Sequence, residues 1–400
     1  MKSIKSANEV NDMKLVGLAV VANKDNFGSA LQTFATQKVI REMGYDTKVF
    51  DISQVKGIIE KRKLLYYFTR IIHKDEREYL ISVANSMLKK KNSDDTYTKN
   101  MAIRHEQYTD FYKSNIDFFP RANQWEDLTE QAKQCSAVLV GSDQLWGAAN
   151  IEGRYYTLEF VPDEIKKIAY STSIGTSILP KQLHKHAKRF LNRIEFISIR
   201  EVTGQKIVKD LTGRDVPVVC DPTMLMDAND WMSIQDKEPF INGDYILTYF
   251  MGDNPIQREF VKRLKEATGY KIVGLLHGST YIKNDEGYCD ETPYDVGPAE
   301  FLNLIRNAKF VCTDSFHCCV FSILYGTEFY VFRRDADDNS FGTIDRLHTL
   351  LGWTGLEDRL LTGKEEVSVY IEKRMDKDKV SNLVEKKKRE SMQFLKMALK

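Results

Sequence analysis

The feature that most restricts the fold of this chain is an alternation of short apolar run, polar loop and helix-periodic segment, repeated in both halves. Residues 14–21 (KLVGLAVV) read as a buried strand. The polar loop 23–28 (NKDNFG) follows. Residues 29–43 then place Leu31, Phe34, Ala35, Val39, Ile40 and Met43 at helical spacing, and Gly44 stops the helix. Residues 47–50 (TKVF) read as the next strand, and this order predicts parallel pairing through a right-handed crossover. The alternation resumes with strands at 137–141 (AVLVG), 167–171, 196–199 and 216–220, and a helix over 201–211. A second series has strands at 245–250, 270–275, 310–313 and 329–332. Its helices cover 255–267, 297–307 and 318–325, the first two with a proline in the opening turn and the third stopped by Gly326.

The expectation is an α/β chain of two Rossmann-like domains facing a cleft, over residues 14–230 and 240–375. Residues 224–243, with Pro239 and Gly243, are the expected linker, and an amphipathic helix over about 376–400 is expected to pack back on the core. A length of 400 residues exceeds one ordinary core and suits two domains. Residues 56–119 interrupt the alternation. They are rich in Lys, Arg, Tyr and Phe, carry a basic run at 89–91, and read as a helical insertion in the first domain. This insertion is either a solvated hairpin over the sheet or a basic-aromatic surface facing a lipid-linked or anionic acceptor, with peripheral contact to the inner face of a membrane.

Lys plus Arg number 58 and Asp plus Glu 57, so no global field selects nucleic acid or a strongly charged partner. The six cysteines, at 135, 220, 289, 312, 318 and 319, form neither a CxxC pair nor a disulfide framework. Residues 1–14 lack the apolar core of an export signal, and no apolar run reaches the roughly 20 residues needed to span a bilayer. A cytoplasmic location is expected.

In open α/β sheets the ligand crevice lies beyond the carboxyl ends of the strands. Loops 23–28, 141–146, 171–176, 251–254 and 313–317 take that place, and helices following them offer free N–H groups to anions. Neither GxGxxG nor GxxxxGK[ST] is present, so no motif supports a dinucleotide or Walker-type site, and no cofactor is expected. His317, at a strand-to-helix junction, is the leading candidate for proton transfer, with a helix cap as its bland alternative. Arg200, directly after the strand 196–199, suits a two-pronged clamp on a carboxylate or phosphate, or equally an ion pair with a neighbouring acid. Arg346 at a helix start reads as a ligand contact or a solvated arginine, and His277 as a cleft-lining residue or a surface one. Asp143 and Asp221 suit acid–base work but stand without ligand-spaced company, so no metal site is expected. Cys318 and Cys319 open an apolar helix and read as small core residues rather than nucleophiles.

Taken together, the loops resemble the polysaccharide pyruvyl transferase family over about residues 14–352. NFGSALQ at 26–32 is similar to N-[YF]-G-x-x-L-Q, and VGSDQLW at 140–146 to V-G-S-D-Q-x-W. SIRE at 198–201 resembles S-x-R-[ED], DPT at 221–223 matches D-P-T, TDSFH at 313–317 matches T-D-S-F-H, and RLHTLL at 346–351 resembles R-[IL]-x-T-L-L. Six such motifs in order are specific where one is not. The resemblance implies a fold similar to two-domain GT-B glycosyltransferases. It further implies phosphoenolpyruvate as donor, a sugar of a surface polysaccharide precursor as acceptor, and a pyruvate ketal as product. It places His317, Arg200 and Asp143 as catalytic residues and Asn26, Gly28, Ser142, Ser315 and Arg346 as donor contacts. Many members carry an arginine where this chain has Ser315, and Gly-Thr where it has Cys318-Cys319. One cationic contact is thus absent and backbone approach to an anion is tighter, which leaves room for another donor or a bulkier acceptor. The fold would equally serve a glycosyltransferase with a nucleotide-sugar donor, or a non-catalytic glycan-binding member of a polysaccharide cluster.

Overall fold

The structure, a computed structural model, describes residues 13–70, 95–277, 282–285, 287–334 and 344–400. Its first half runs β1 (Leu15–Ala19), α1 (Phe27–Glu42), β2 (Asp46–Val49), α2 (Lys56–Arg70), α3 (Asp95–Asn115), α4 (Trp125–Ala132), β3 (Ala137–Gly141), α5 (Ala148–Gly153), β4 (Lys166–Thr172), α6 (His184–Arg193), β5 (Phe196–Ile199), α7 (Val202–Thr212) and α8 (Ala228–Met232). The second half runs β6 (Tyr245–Tyr249), α9 (Pro255–Thr268), β7 (Lys271–Gly274), α10 (Pro298–Asn307), β8 (Phe310–Thr313), α11 (Phe316–Tyr325), β9 (Phe329–Phe332), α12 (Asp345–Thr354), β10 (Leu360–Leu361), α13 (Val367–Glu372) and α14 (Lys377–Leu399).

Each half builds one five-stranded sheet, β2-β1-β3-β4-β5 and β10-β9-β8-β6-β7, with every pair parallel. The strands are continuous apolar runs because helices cover both faces; all five residues of β3 and of β6 are buried. Counted within its own half, each sheet has the order 2-1-3-4-5, so each has one topological switch point: β1/β3 in the first and β6/β8 in the second. Brändén crevices lie at such points, beyond the strand ends.

The two halves share a hydrophobic core. It joins Leu31 and Val39 of α1 to Phe301 and Leu304 of α10, Val320 of α11 and Leu395 of α14. At its centre Phe27 of α1 stacks on Phe301 with ring centroids 4.4 Å apart, and Tyr108 of α3 and Tyr249 of β6 pack at the edges. Such an aromatic pair adds about 0.5–1.5 kcal/mol beyond its burial. In the insertion, α3 packs Tyr108, Phe111, Tyr112 and Ile116 into this core. Its Arg104 donates to the carbonyls of Leu276 and Pro293 in the second half, and Tyr97 donates to that of His277. This part of the insertion is therefore a strut between the halves and not a solvated hairpin. The basic run at 89–91 lies outside the described residues. α14 returns to the first sheet, where Ser391 Oγ accepts from Cys220 N–H and the Leu399 carbonyl accepts from Tyr45.

Three local expectations need correction. Residues 216–220 do not form a strand of the first sheet; only Val218 bridges Ile199, because Pro217 brings no N–H to a ladder and Pro222 ends the extended run. Residues 224–243 are not an open linker. Asp227 caps α8, whose Trp231 is fully buried against Phe34 and Phe321 and donates its indole N–H to the Thr223 carbonyl. The helix expected from residue 318 begins at Phe316, which moves His317 from the loop into the first turn of α11.

Candidate functional site

The carboxyl ends of β3 and β4 are strained. Gly141 closes β3 where a Cβ would stand 2.2 Å from the Tyr170 carbonyl oxygen of β4. The chain then passes through left-handed conformations at Ser142 (φ 52°) and Asp143 (φ 58°), and Ser171 on β4 does the same (φ 53°). Non-glycine residues held there cost on the order of 1–3 kcal/mol each and collect at functional sites. The strain turns the Ser142 and Asp143 side chains into the space above the sheet.

Asp221 is the hub of that space. Its Oδ2 accepts from Ser142 Oγ and from Arg200 Nη1 at 2.9 Å, and faces His317 Nε2 at 3.5 Å. Its Oδ1 accepts from the N–H and hydroxyl of Thr223. Burial by itself would raise this carboxyl's pKa, but His317, Arg200 and Ser142 outweigh it and hold the group ionised well below the usual carboxylate range. One buried carboxylate thus ties the β3 end, the β5 end and the second half of the molecule.

Arg200 is 3% exposed. Nη1 is taken by Asp221, while Nε and Nη2 are buried and have no hydrogen-bond partner among the described residues. Its guanidinium carbon lies 4.4 Å from the centre of the Phe316 ring, and that of Arg346 lies 5.8 Å from the same ring. Two guanidinium groups from the two halves therefore share the Phe316 ring at the N-terminus of α11. Burial, then the positive charges of Arg200 and Arg334, lower the Arg346 pKa to about 9. Such a concentration of buried positive charge calls for an anion.

Asp143 accepts from Ser29 Oγ and from Gln144 N–H, both at 2.9 Å. Burial opposes its ionisation, yet His317, Arg200, Arg346 and Lys24 bring its pKa down to about 2. Gly28 lies directly against His317: a Cβ there would fall 2.1 Å from Nδ1 and 2.5 Å from Cγ. Asn26 caps α1, its side chain accepting from Ser29 N–H at 3.0 Å. Ser315 is the N-cap of α11 without a side-chain cap bond, and its N–H donates to Thr313 Oγ1.

Ser142, Arg200 and His317 thus meet at Asp221, Gly28 packs on the His317 ring, Asn26 and Asp143 are joined through Ser29, and Arg346 reaches the Phe316 ring, while Ser315 is hydrogen-bonded to Thr313. Within that cluster Asn26 has a capping bond and Gly28 makes room for a ring. Asp314, next to Ser315, is spent on the loop after β6, accepting from Met251 and Gly252 N–H at 2.7 and 2.8 Å. His277, on the second-half side, has its pKa lowered to about 4 by burial and then by Arg334. Cys318 and Cys319 are fully buried and burial raises both thiols, that of Cys318 to about 12, which removes the thiolate a nucleophile needs.

Sequence reasoning underrated Asp221, gave Glu201 no role beyond its place in the SIRE motif, and missed Arg334. Asp221 stood in a recognisable D-P-T motif but had no spaced partner along the chain. Glu201 is buried, with Oε1 accepting from Ile174 and Gly175 N–H and Oε2 unpartnered among the described residues. Arg334, just past β9, brings its Nε to 3.8 Å from Asp314 Oδ2, and nothing in its local sequence marks it.

Residues 26–336 match the sequence model of the family described as polysaccharide pyruvyl transferase. The chain belongs to this family. The match spans the motif loops that converge at Asp221, and it makes the protein a transferase. No curated protein is significantly similar in sequence. Among solved structures, the chain resembles a protein from Listeria monocytogenes described as a UDP-N-acetylglucosamine 2-epimerase, at 11% identity over 96% of this chain and 91% of that one, with a TM-score of 0.50. It also resembles the UDP-GlcNAc 2-epimerase from Neisseria meningitidis bound to UDP-GlcNAc, at 11% identity over 90% of each chain and a TM-score of 0.48. At such identity the likeness concerns the fold alone: a GT-B-like pair of α/β domains.

Proposed function

We propose that this chain transfers the pyruvyl group of phosphoenolpyruvate to a sugar of a surface polysaccharide precursor, forming a ketal and releasing phosphate. The observation that carries this reading is the Arg200 fork: two buried N–H groups without a partner among the described residues, beside Arg346 and His317 at the N-terminus of α11. A carboxylate or phosphate fits such a fork in a planar, two-pronged way, and the helix N-terminus adds positive potential.

The chemistry assigned to the site conserves atoms and electrons. A proton passes from His317 to the methylene carbon of the donor, and the adjacent carbon becomes oxocarbenium-like. One sugar hydroxyl adds there and returns its proton to the now neutral His317 ring. A second hydroxyl of the same sugar then replaces phosphate at that carbon: its C–O bond forms as the C–O bond to phosphate breaks, and its proton leaves with the phosphate. Arg200 and Arg346 hold negative charge on the donor throughout, and Asp143 supports the protonated ring. Arg334 supplies a cation near the place where Ser315 offers none.

The acceptor is proposed to be lipid-linked and the enzyme to work in the cytoplasm, at the inner face of the membrane. Support comes from α2, where Ile58, Leu64 and Leu65 are exposed on the same side as Lys61. None of the described helices is long and apolar enough to cross a membrane.

Calorimetric titration tests the donor. Phosphoenolpyruvate should bind and UDP-sugars should not; the reverse result would replace the pyruvyl reading with a nucleotide-sugar transferase.

A further inference from the structure

His317 has two ring nitrogens with different surroundings. Nε2 is buried, has no hydrogen-bond partner among the described residues, and lies 3.5 Å from the carboxylate oxygen Oδ2 of Asp221. Nδ1 lies on the Gly28 side, where the ring takes the place that a side chain at residue 28 would fill. The side chain as a whole keeps 8% exposure. The ring also sits in the first turn of α11, perpendicular to Phe316 and next to the charge of Arg200. A helix N-terminus and a guanidinium both repel a positive ring. The attractive charges are the carboxylates of Asp221, from the segment after β5, and Asp143, from the end of β3; Arg200 and Arg346 stand on the repelling side.

We infer that Asp221 is the positioning residue of this histidine: it holds the proton of the neutral ring on Nε2 and leaves Nδ1, across Gly28, as the nitrogen that meets the substrate. The inference rests on the pyruvyl-transfer reading for what Nδ1 meets, but not for the ring's tautomer. In the protonated ring both nitrogens carry hydrogen. The Nδ1 proton leaves to the substrate carbon, the ring keeps its Nε2 proton, and Asp221 stays ionised. A ring proton is favoured on the nitrogen that faces a carboxylate, so the charge of Asp221 3.5 Å behind Nε2 selects the nitrogen in front. Asp221 touches no substrate atom in this arrangement. Gly28 has a matching role, because any side chain there would occupy the position of Nδ1.

The test is ring-nitrogen NMR on the full chain labelled with ¹⁵N-histidine, the His317 signals being identified by their loss in His317→Gln. In the free protein the neutral ring should show an N–H-type Nε2 and an unprotonated Nδ1. Asp221→Asn should abolish that preference. Added phosphoenolpyruvate should move the Nδ1 signal and leave Nε2 in place, and Gly28→Ala should abolish that response. A proton on Nδ1 of the free wild-type ring overturns the inference, as does an unchanged tautomer in folded Asp221→Asn. The wild-type tautomer decides even where the variants fail to fold. If phosphoenolpyruvate binds but shifts Nε2, the inference also fails. If calorimetry shows no phosphoenolpyruvate binding at all, the pyruvyl reading fails, while the tautomer result still stands or falls separately.

Discussion

Replacing Arg200 by lysine separates two roles that the guanidinium combines. One is structural: Nη1 neutralises the buried Asp221 at 2.9 Å. The other is the proposed donor clamp through Nε and Nη2, which are buried and without partners among the described residues. An ammonium group keeps the charge and reaches Asp221, but it cannot present two parallel N–H bonds in a plane. The structural role is thus largely retained, and Arg200→Lys should fold. The donor should lose one charged hydrogen bond, about 1.5–3 kcal/mol, which corresponds to roughly a 10- to 150-fold rise in Kd. Arg200→Leu is the contrasting variant. It leaves the Asp221 carboxylate buried without its guanidinium, at a cost of about 3–5 kcal/mol in stability. Calorimetric titration with phosphoenolpyruvate measures the first effect, and urea unfolding the second. An unchanged donor Kd in folded Arg200→Lys would refute the clamp and leave Arg200 as the ion-pair partner of Asp221 alone.

Other consequences are equally direct. His317→Ala should lower turnover by roughly 10²–10⁴-fold with a smaller effect on donor affinity, measured as phosphate release; full activity of His317→Gln between about pH 6 and 8 would exclude proton transfer by this ring. Away from the site, His186 lies between Glu159 and Glu152, and its pKa is raised above 6.5, chiefly by the hydrogen bond to Glu159. Stability from this pair is fully present below pH 6.5 and is lost as pH rises through the folded-state pKa. The melting temperature of the wild type should therefore fall more steeply above that pH than that of His186→Gln, in parallel thermal scans. Trp231→Ala should cost about 3–5 kcal/mol by urea unfolding, since its indole is fully buried in the segment that joins the halves.

Much of the fold was legible because each local signal agreed with the global one. The runs at 196–199, 310–313 and 329–332 are strands with those bounds, and the helix opened by Gly297 and Pro298 ends at Asn307 as its periodicity requires. Pro255 and Gly326 sit at the helix termini where their backbone preferences place them. The reading of 216–220 failed because Pro217 brings no N–H and the Cys220 N–H goes to Ser391 of α14, which leaves the Val219 N–H to pair with Ile199. The short helices α4, α5 and α6 were overlooked for the opposite reason. α5 has only six residues, and near its end Glu152 is held by His186 of α6, 34 residues away in the chain.

For the site, the sequence by itself determined which residues stand at strand ends: Ser142 and Asp143 after β3, Arg200 after β5, and His317 after β8. These are matters of local order along the backbone, and a crevice above a parallel sheet follows from them. Only the tertiary structure decided how they meet. Asp221 contacts Ser142, Arg200 and His317 across separations of 79, 21 and 96 residues, which no periodicity encodes. Nor could the sequence show that Gly28 belongs to a histidine on the other sheet, or that Arg346 and Arg200 share the ring of Phe316. Those pairings exist because the two switch points are pressed together by one apolar core. The charges it encloses can be satisfied only by one another or by an anion brought from outside.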